Sequence, residues 1–405
     1  MISVAGSLLV LLALSFALPH HVPSEFSSYE VLEEKNNCHT LRLLLHNVEV
    51  TVSPSHKTTI TYHSPDSSID LSASALENAA HSCCRLRNLS VAPISLVHKS
   101  TAFHTSDTDI ETLYMVPHNH PMNIFHLFLD FLLPFQYTAM RDGLSNKPHV
   151  LFLNCPSHDG LRKQFRSLID PFVNKLDVPW LFPKRYMVRN LYIGLNTLPK
   201  KCRGPNSFSK QHCPHLFNTV TSKILQHLNV KPHPDPKFIV TLIDRYPDNR
   251  KIIGASDPKW VRAVQKSLSL IPSVHFRVVN NNQLSLQQQI RVAAESDVLV
   301  AVHGAALYTE MFLPNNSAVV VIYPPCCLNF VYNSMAKVLG LQQYNYTVSD
   351  SRIVPLSADA KTLLRIKSPC PQYKCNSAAR NVDLNLKPEE FVDMVLPAIM
   401  SLKDG

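Results

Sequence analysis

The sequence predicts an α/β protein whose second half is a parallel sheet covered by helices. Three observations carry this. From Lys237 onward, β-branched runs alternate with helix-periodic segments across short joins, the pattern of strands linked by crossover helices. Two of the runs, Val298–Val302 and Ala318–Tyr323, are apolar throughout, as strands buried on both faces must be. Helix starts are also marked, by Asp257 before Pro258 and by Ser285, residues that satisfy or dispense with the first backbone N–H groups.

In chain order, strands are expected at 41–52, 150–154 and 186–195, and a helix at 216–229. Residues 53–82 are rich in Ser, Thr and His and read as a surface excursion. The stretch KPHPDPK, 231–237, holds three prolines and reads as an interdomain link. Beyond it come a strand at 238–243, a helix at 257–270, a strand at 274–279 and a helix at 285–296. The strand at 298–302, a turn at His303 and the strand at 318–323 follow, then a helix at 329–339 and a strand at 342–348. The division this gives is an N-terminal α/β domain over 24–230, the link, a Rossmann-like domain over 238–348, and a segment 349–405 expected to pack back on the first domain.

The amino terminus carries a compartment signal. Residues 2–18 are almost wholly apolar, and Ser15 and Ala17 are small residues at the spacing of a cleavage site. Residues 1–17 therefore read as a signal peptide or as a retained membrane anchor. Ten cysteines suit an oxidising lumen, and no CxxC occurs to suggest zinc. Sequons begin at Asn88, Asn315 and Asn345; a glycan on Asn315 is expected to crowd any cleft nearby. The formal net charge is +9, thinly spread at 17% charged residues with no Lys/Arg tract, so nucleic acid is not an expected partner. A small anionic substrate fits that balance. A membrane partner is expected only if the N-terminal segment is kept as an anchor.

Two stretches carry candidate chemistry. At the carboxyl end of the strand 298–302 stand His303, Gly304 and Ala305, where a helix begins. Ligands of open parallel sheets bind at such ends, and the free N–H groups and dipole of a helix start favour phosphate. The alternative is a core histidine beside a packing glycine. Residues 123–140 form the second stretch, apolar nearly all round, with Asn123, His126 and Asp130 in one stripe at α-helical spacing. Such a stripe faces a polar cleft or satisfies itself within the core. His118, His120 and His126 are a lesser alternative as metal ligands.

These stretches resemble family 61 glycosyltransferases. DVLVAVHGAALYTEMFLPNNSAVVVIYP is similar to that family's strand–HGAGLT–FLP–strand signature, and NIFHLFLDFLLP to its NxxHxxxDxLLP element. FIVTLIDRYPDNRKII stands where the family has a strand followed by two arginines, and all three occur in family order. The resemblance implies a GT-B fold, two Rossmann-like domains facing across a cleft. It implies an inverting, metal-independent enzyme without a cofactor, taking a UDP-sugar (N-acetylglucosamine first, xylose next) to a glycoprotein or glycan acceptor. The setting implied is the endoplasmic reticulum or Golgi lumen, or the secreted state. Arg245 and Arg250 become the diphosphate clamp, joined by His303, Gly304 and Ala305. Asp130 is assigned as the base, with His126 second, and Asn123 and His126 face the acceptor. Asp107 and Asp109 mimic a metal-binding DxD but lie outside the signatures. Departures are Tyr308 for the family's threonine, Glu310 for an apolar residue, Val321 for Glu or Gln, and Gly254 for an asparagine. They leave open an inactive secreted or lumenal binding member of the same fold.

Overall fold

The computed structural model describes residues 28–33, 42–52, 58–63, 94–99, 110–116, 124–144, 146–152, 165–177, 184–195, 213–231, 237–245, 251–324, 331–355 and 382–404. Segment 1–17, residues 232–236 of the link, Asn88, Asp107, Asp109, His118, His120, Asn123, Arg250 and every cysteine but Cys213 lie outside them. Among the described residues no helix is long and apolar enough to cross a membrane.

The first half contributes β1 (Ser28–Glu33), β2 (Arg42–Val52), β3 (Thr58–His63), β4 (Ile94–Lys99), β5 (Ile110–Val116), β6 (His149–Phe152), β7 (Lys175–Asp177) and β8 (Lys184–Ile193). They form one eight-stranded sheet, β4-β3-β2-β8-β5-β6-β7 with β1 on β2. The β8-β5-β6-β7 part is parallel, whereas β2 runs antiparallel to β1, β3 and β8. This half is thus a mixed sheet, with an antiparallel layer added to a parallel core. β3 falls inside 53–82, which sequence reasoning assigned to the surface. Its composition is polar, yet Thr, Ile and Tyr suit a pleated surface, and Ile60 and Tyr62 are buried in it.

The apolar stretch 123–140 was expected to be one α-helix. Instead α1 (Ile124–His126) passes through a π-helical turn, Leu127–Leu132, into α2 (Leu133–Arg141). The Leu133 N–H donates to the Phe128 carbonyl, five residues back. Pro134 has no N–H to offer the carbonyl four residues back, so the ladder is interrupted there and the wider turn takes up the break. Next comes α3 (Cys213–His227), whose first residue is a disulfide-bonded cysteine.

The second half follows the expected alternation. Its elements are β9 (Phe238–Asp244), α4 (Pro258–Leu268), β10 (Val274–Asn280), α5 (Leu286–Ala294), β11 (Val298–Val302), a 3-10 helix at Ala305–Phe312, β12 (Ala318–Tyr323), α6 (Val331–Val338) and β13 (Gln342–Thr347). Both marked caps form: the Asp257 carboxylate accepts from the Lys259 N–H, and Ser285 closes a capping box with Gln288. The five strands are parallel throughout, in the order β10-β9-β11-β12-β13. That order reverses direction between β9 and β11, so a crevice opens at their carboxyl ends.

Side-chain alternation along these strands supplies two cores. Leu299 and Ala301 of β11, with Val319 and Val321 of β12, face a core shared with the π-helical turn and α3. Val298, Val300 and Val302 face the opposite core, with α4 and α7 (Pro388–Asp404). The chain ends differently from expectation. Residues 382–404 pack on the second sheet rather than back on the first: Phe391 and Val395 of α7 are buried there. Between α6 and α7, β14 (Ile353–Pro355) pairs with β15 (Val382–Leu384).

Candidate active site

Two chain ends leave the second sheet side by side. Ala301 of β11 pairs with Ile243 of β9, so His303-Gly304 and Asp244-Arg245 emerge next to one another at the switch point. β11 is anchored at its entry, where the Asp297 carboxylate accepts from the Ile239 N–H at 2.7 Å. At its exit the His303 N–H still donates to the Ile322 carbonyl, at 2.9 Å. The imidazole is only 3% exposed. It stacks on Tyr323, centroids 5.3 Å apart, and meets Tyr332 edge-on at 5.3 Å.

Gly304 is extended (φ 160, ψ −178), and its carbonyl accepts from the Tyr332 hydroxyl at 2.8 Å. The helix beyond it is 3-10, not α. The Leu307 N–H donates to the Gly304 carbonyl, so the N–H groups of Ala305 and Ala306 precede the first intrahelical bond. Both residues are half-buried. Such donors, at the positive end of a helix dipole, suit an oxyanion.

Arg245 is half-buried beside them, and its backbone is held through both its N–H and its carbonyl. Its N–H donates to the Asp244 carboxylate at 2.8 Å, and its carbonyl accepts from the Asn282 amide at 3.3 Å.

The stripe on α1 and the π turn becomes a pair. His126 Nδ1 lies 2.7 Å from Asp130 Oδ2, both side chains 27% exposed, so neither is core. The same segment packs on the second half. The Phe125 ring lies 5.1 Å from that of Tyr332, and Phe128 stacks on Tyr308 at 6.0 Å and meets Phe312 edge-on at 5.7 Å. Rings therefore run from the helix carrying His126 through Phe125 and Tyr332 to His303. Sequence reasoning missed Tyr323 and Tyr332, the walls of the His303 pocket. Tyr323 was visible only as a strand end, and nothing in the sequence marked Tyr332.

The departures from the family have local explanations. Tyr308 is 2% exposed and its hydroxyl donates to Gln289 Oε1 at 2.8 Å, tying the 3-10 helix to α5. Val321 is fully buried in β12. Gly254 has φ +93, and a Cβ there would lie 3.0 Å from the Trp260 ring, which is fixed by its indole N–H donating to the Leu386 carbonyl. A side chain at that position is strained in its backbone and tight against the ring. Asn315 and Asn345 are exposed. Asn315 precedes β12, at the amino ends of the strands, so a glycan on it does not crowd the carboxyl-end crevice, contrary to the sequence expectation. Among the described residues no three His, Cys, Asp or Glu side chains gather as a metal site.

Glu310 is the least expected group. It is 0% exposed, and among the described residues neither carboxylate oxygen has a hydrogen-bond partner. Burial holds its pKa well above the ordinary value of 4.5, so folding favours its neutral form. Tyr323 is raised as well, by burial first and by Glu310 second. The unfolded chain releases the Glu310 proton more readily than the folded one. Its stabilising effect is therefore full below about pH 4.5 and declines as pH rises toward the folded pKa, by at most about 1.4 kcal/mol per unit. Glu310→Gln is neutral at every pH. Urea unfolding at pH 5 and 7.5 should show the variant gaining on wild type at the higher pH. An unchanged difference would mean that the carboxyl ionises alike in both states.

Residues 124–320, just under half of the chain, match the family model for Glycosyltransferase 61, and the resemblance carried by the motifs is thereby shown. The chain is also similar to proteins named EGF domain-specific O-linked N-acetylglucosamine transferase. The one from Xenopus laevis is 27% identical over 143 residues, 34% of this chain and 26% of the relative. That from Gallus gallus is 27% identical over 231 residues, 54% and 41% of the two chains. That from Pan troglodytes is 25% identical over 230 residues, 54% and 42%. The chain spans less than half the length of these relatives.

Proposed function

We propose that this protein is an inverting glycosyltransferase that moves a sugar from a UDP-sugar to a glycoprotein acceptor in the secretory pathway. N-acetylglucosamine is the first candidate sugar, after the relatives' names, and xylose the next. The observation that carries the reading is the switch point, where Arg245 and His303-Gly304-Ala305 leave adjacent strands together. In this reading the two halves form a GT-B arrangement, with the crevice holding the donor and α1 with the π turn facing the acceptor.

Transfer with inversion needs a base on the attacking hydroxyl and positive groups on the departing diphosphate. The guanidinium of Arg245 suits a phosphate bidentately, and Arg250 is assigned beside it. His303 and the N–H groups of Ala305 and Ala306 would take the charge that grows as the sugar–oxygen bond breaks. The base is the His126–Asp130 pair. If Nδ1–H donates to the carboxylate, Nε2 is left as the proton acceptor and the aspartate fixes the tautomer. The hydroxyl proton then passes to this pair, and the diphosphate leaves with the bond's electrons.

A second reading, an inactive binding member, is favoured by Val321, whose full burial leaves no side chain there to reach a ribose. The test is to incubate the purified chain with UDP-N-acetylglucosamine, UDP-xylose and other UDP-sugars, with a glycoprotein acceptor, and follow UDP release. Turnover with one donor supports the enzyme. UDP binding without turnover supports the second reading, and neither binding nor turnover removes both.

A further inference from the structure

A pocket of about 470 Å³ lies in the first half, lined by residues of α2 and α3 and by the segments leading into β6 and β7. It stands at the amino ends of those parallel strands, so it is separate from the switch point of the second sheet. Its volume is that of a small-molecule site. The floor is apolar, with Phe135 1% and Phe172 4% exposed. The rim carries Lys147, Lys223 and His227, and among the described residues no carboxylate lines it.

The polar groups are arranged for an acceptor. Gln136 is 6% exposed, and its Oε1 accepts from Lys223 Nζ at 2.9 Å. Its amide N–H groups have no acceptor among the described residues, and the side chain lines the pocket. Lys223 also lies over the Phe172 ring, 5.4 Å from its centroid, and Lys147 Nζ donates to the Asp170 carbonyl at 3.2 Å. Among the described residues neither lysine has an anionic partner. Burial and then the charge of Lys147 lower the Lys223 pKa, so the two ammonium groups sense each other across the pocket. An anion between them would relieve that repulsion.

We propose that this pocket binds a small organic anion of about the size of one sugar unit. Its charged oxygens would sit between Lys147 and Lys223, a further oxygen would accept from Gln136, and its body would lie on Phe135 and Phe172. A phosphorylated and a carboxylated sugar share this chemistry. Calorimetry on the full chain with glucose 6-phosphate, glucuronate, inorganic phosphate and glucose distinguishes them. Saturable, salt-sensitive binding of one sugar anion, with glucose silent and inorganic phosphate weaker than that anion, is the expected result. Lys147→Gln, at an exposed position that leaves the floor intact, should weaken it at least tenfold, as should Lys223→Gln, while UDP binding stays unchanged. No binding of any probe at millimolar concentration, equal binding by glucose, or undiminished binding by the double variant would overturn the proposal. The UDP titration keeps this outcome independent of the switch-point site.

Discussion

His303→Ala is expected to lower turnover about 100- to 1,000-fold, the usual loss on removing a donor aimed at developing charge, while UDP affinity changes little. The imidazole sits at the end of β11, 3% exposed and flanked by Tyr323 and Tyr332. A donor at the leaving diphosphate matters most in the transition state, whereas Arg245 and the N–H groups of Ala305 and Ala306 still hold the ground state. The same burial means that alanine opens space in a packed region and lowers the melting temperature. Turnover must therefore be expressed per folded molecule. His303→Gln, which keeps an N–H donor, should recover part of the rate. If loss of melting temperature is the whole effect, with turnover per folded molecule unchanged, His303 is a core residue and no more.

Asp130→Asn should cost roughly 100- to 10,000-fold in turnover, the range of a general acid–base contribution, with UDP binding intact. The 2.7 Å contact with His126 makes the two a unit, since an amide cannot hold the imidazolium that forms when Nε2 takes the proton. His126→Gln should do comparable damage, and the double variant should be little worse than either single one. Additive losses would mean separate roles. Wild-type turnover in both single variants would remove the pair from the chemistry and leave it a surface ion pair on a helix, whose contribution to stability is small.

The sequence was most legible where local signals agree. β9 to β13 combine apolar runs, capping residues and short joins, and each element formed within a few residues of its expected position. The HGA turn was visible because a fully buried strand must end before a histidine and a glycine. The order of the parallel strands was not, since pairing joins residues such as Ala301 and Ile243 that no local pattern relates. β3 was hidden by its polar composition, because Ile60 and Tyr62 are buried by partners distant in sequence. The His126–Asp130 pair was legible as an i, i+4 spacing on one stripe, whereas the π turn at Leu127–Leu132 was not, because the apolar pattern of that stretch fits an uninterrupted α-helix equally well. α7 carries an apolar face but no mark of which sheet it covers. The lysine-rimmed pocket collects residues from positions 135 to 227, and only the folded chain brings them together.

The central claim is that the crevice between β9 and β11 holds a nucleotide diphosphate. Calorimetric titration of UDP into wild type and Arg245→Ala, with melting curves to verify folding, tests it most directly. Wild type should bind saturably. Loss of a charge-assisted phosphate contact should weaken the alanine variant by about 1.5–3 kcal/mol, roughly ten- to a hundred-fold, and Arg245→Lys should recover only part of that. UDP bound equally well by wild type and Arg245→Ala, or by neither, would contradict the claim.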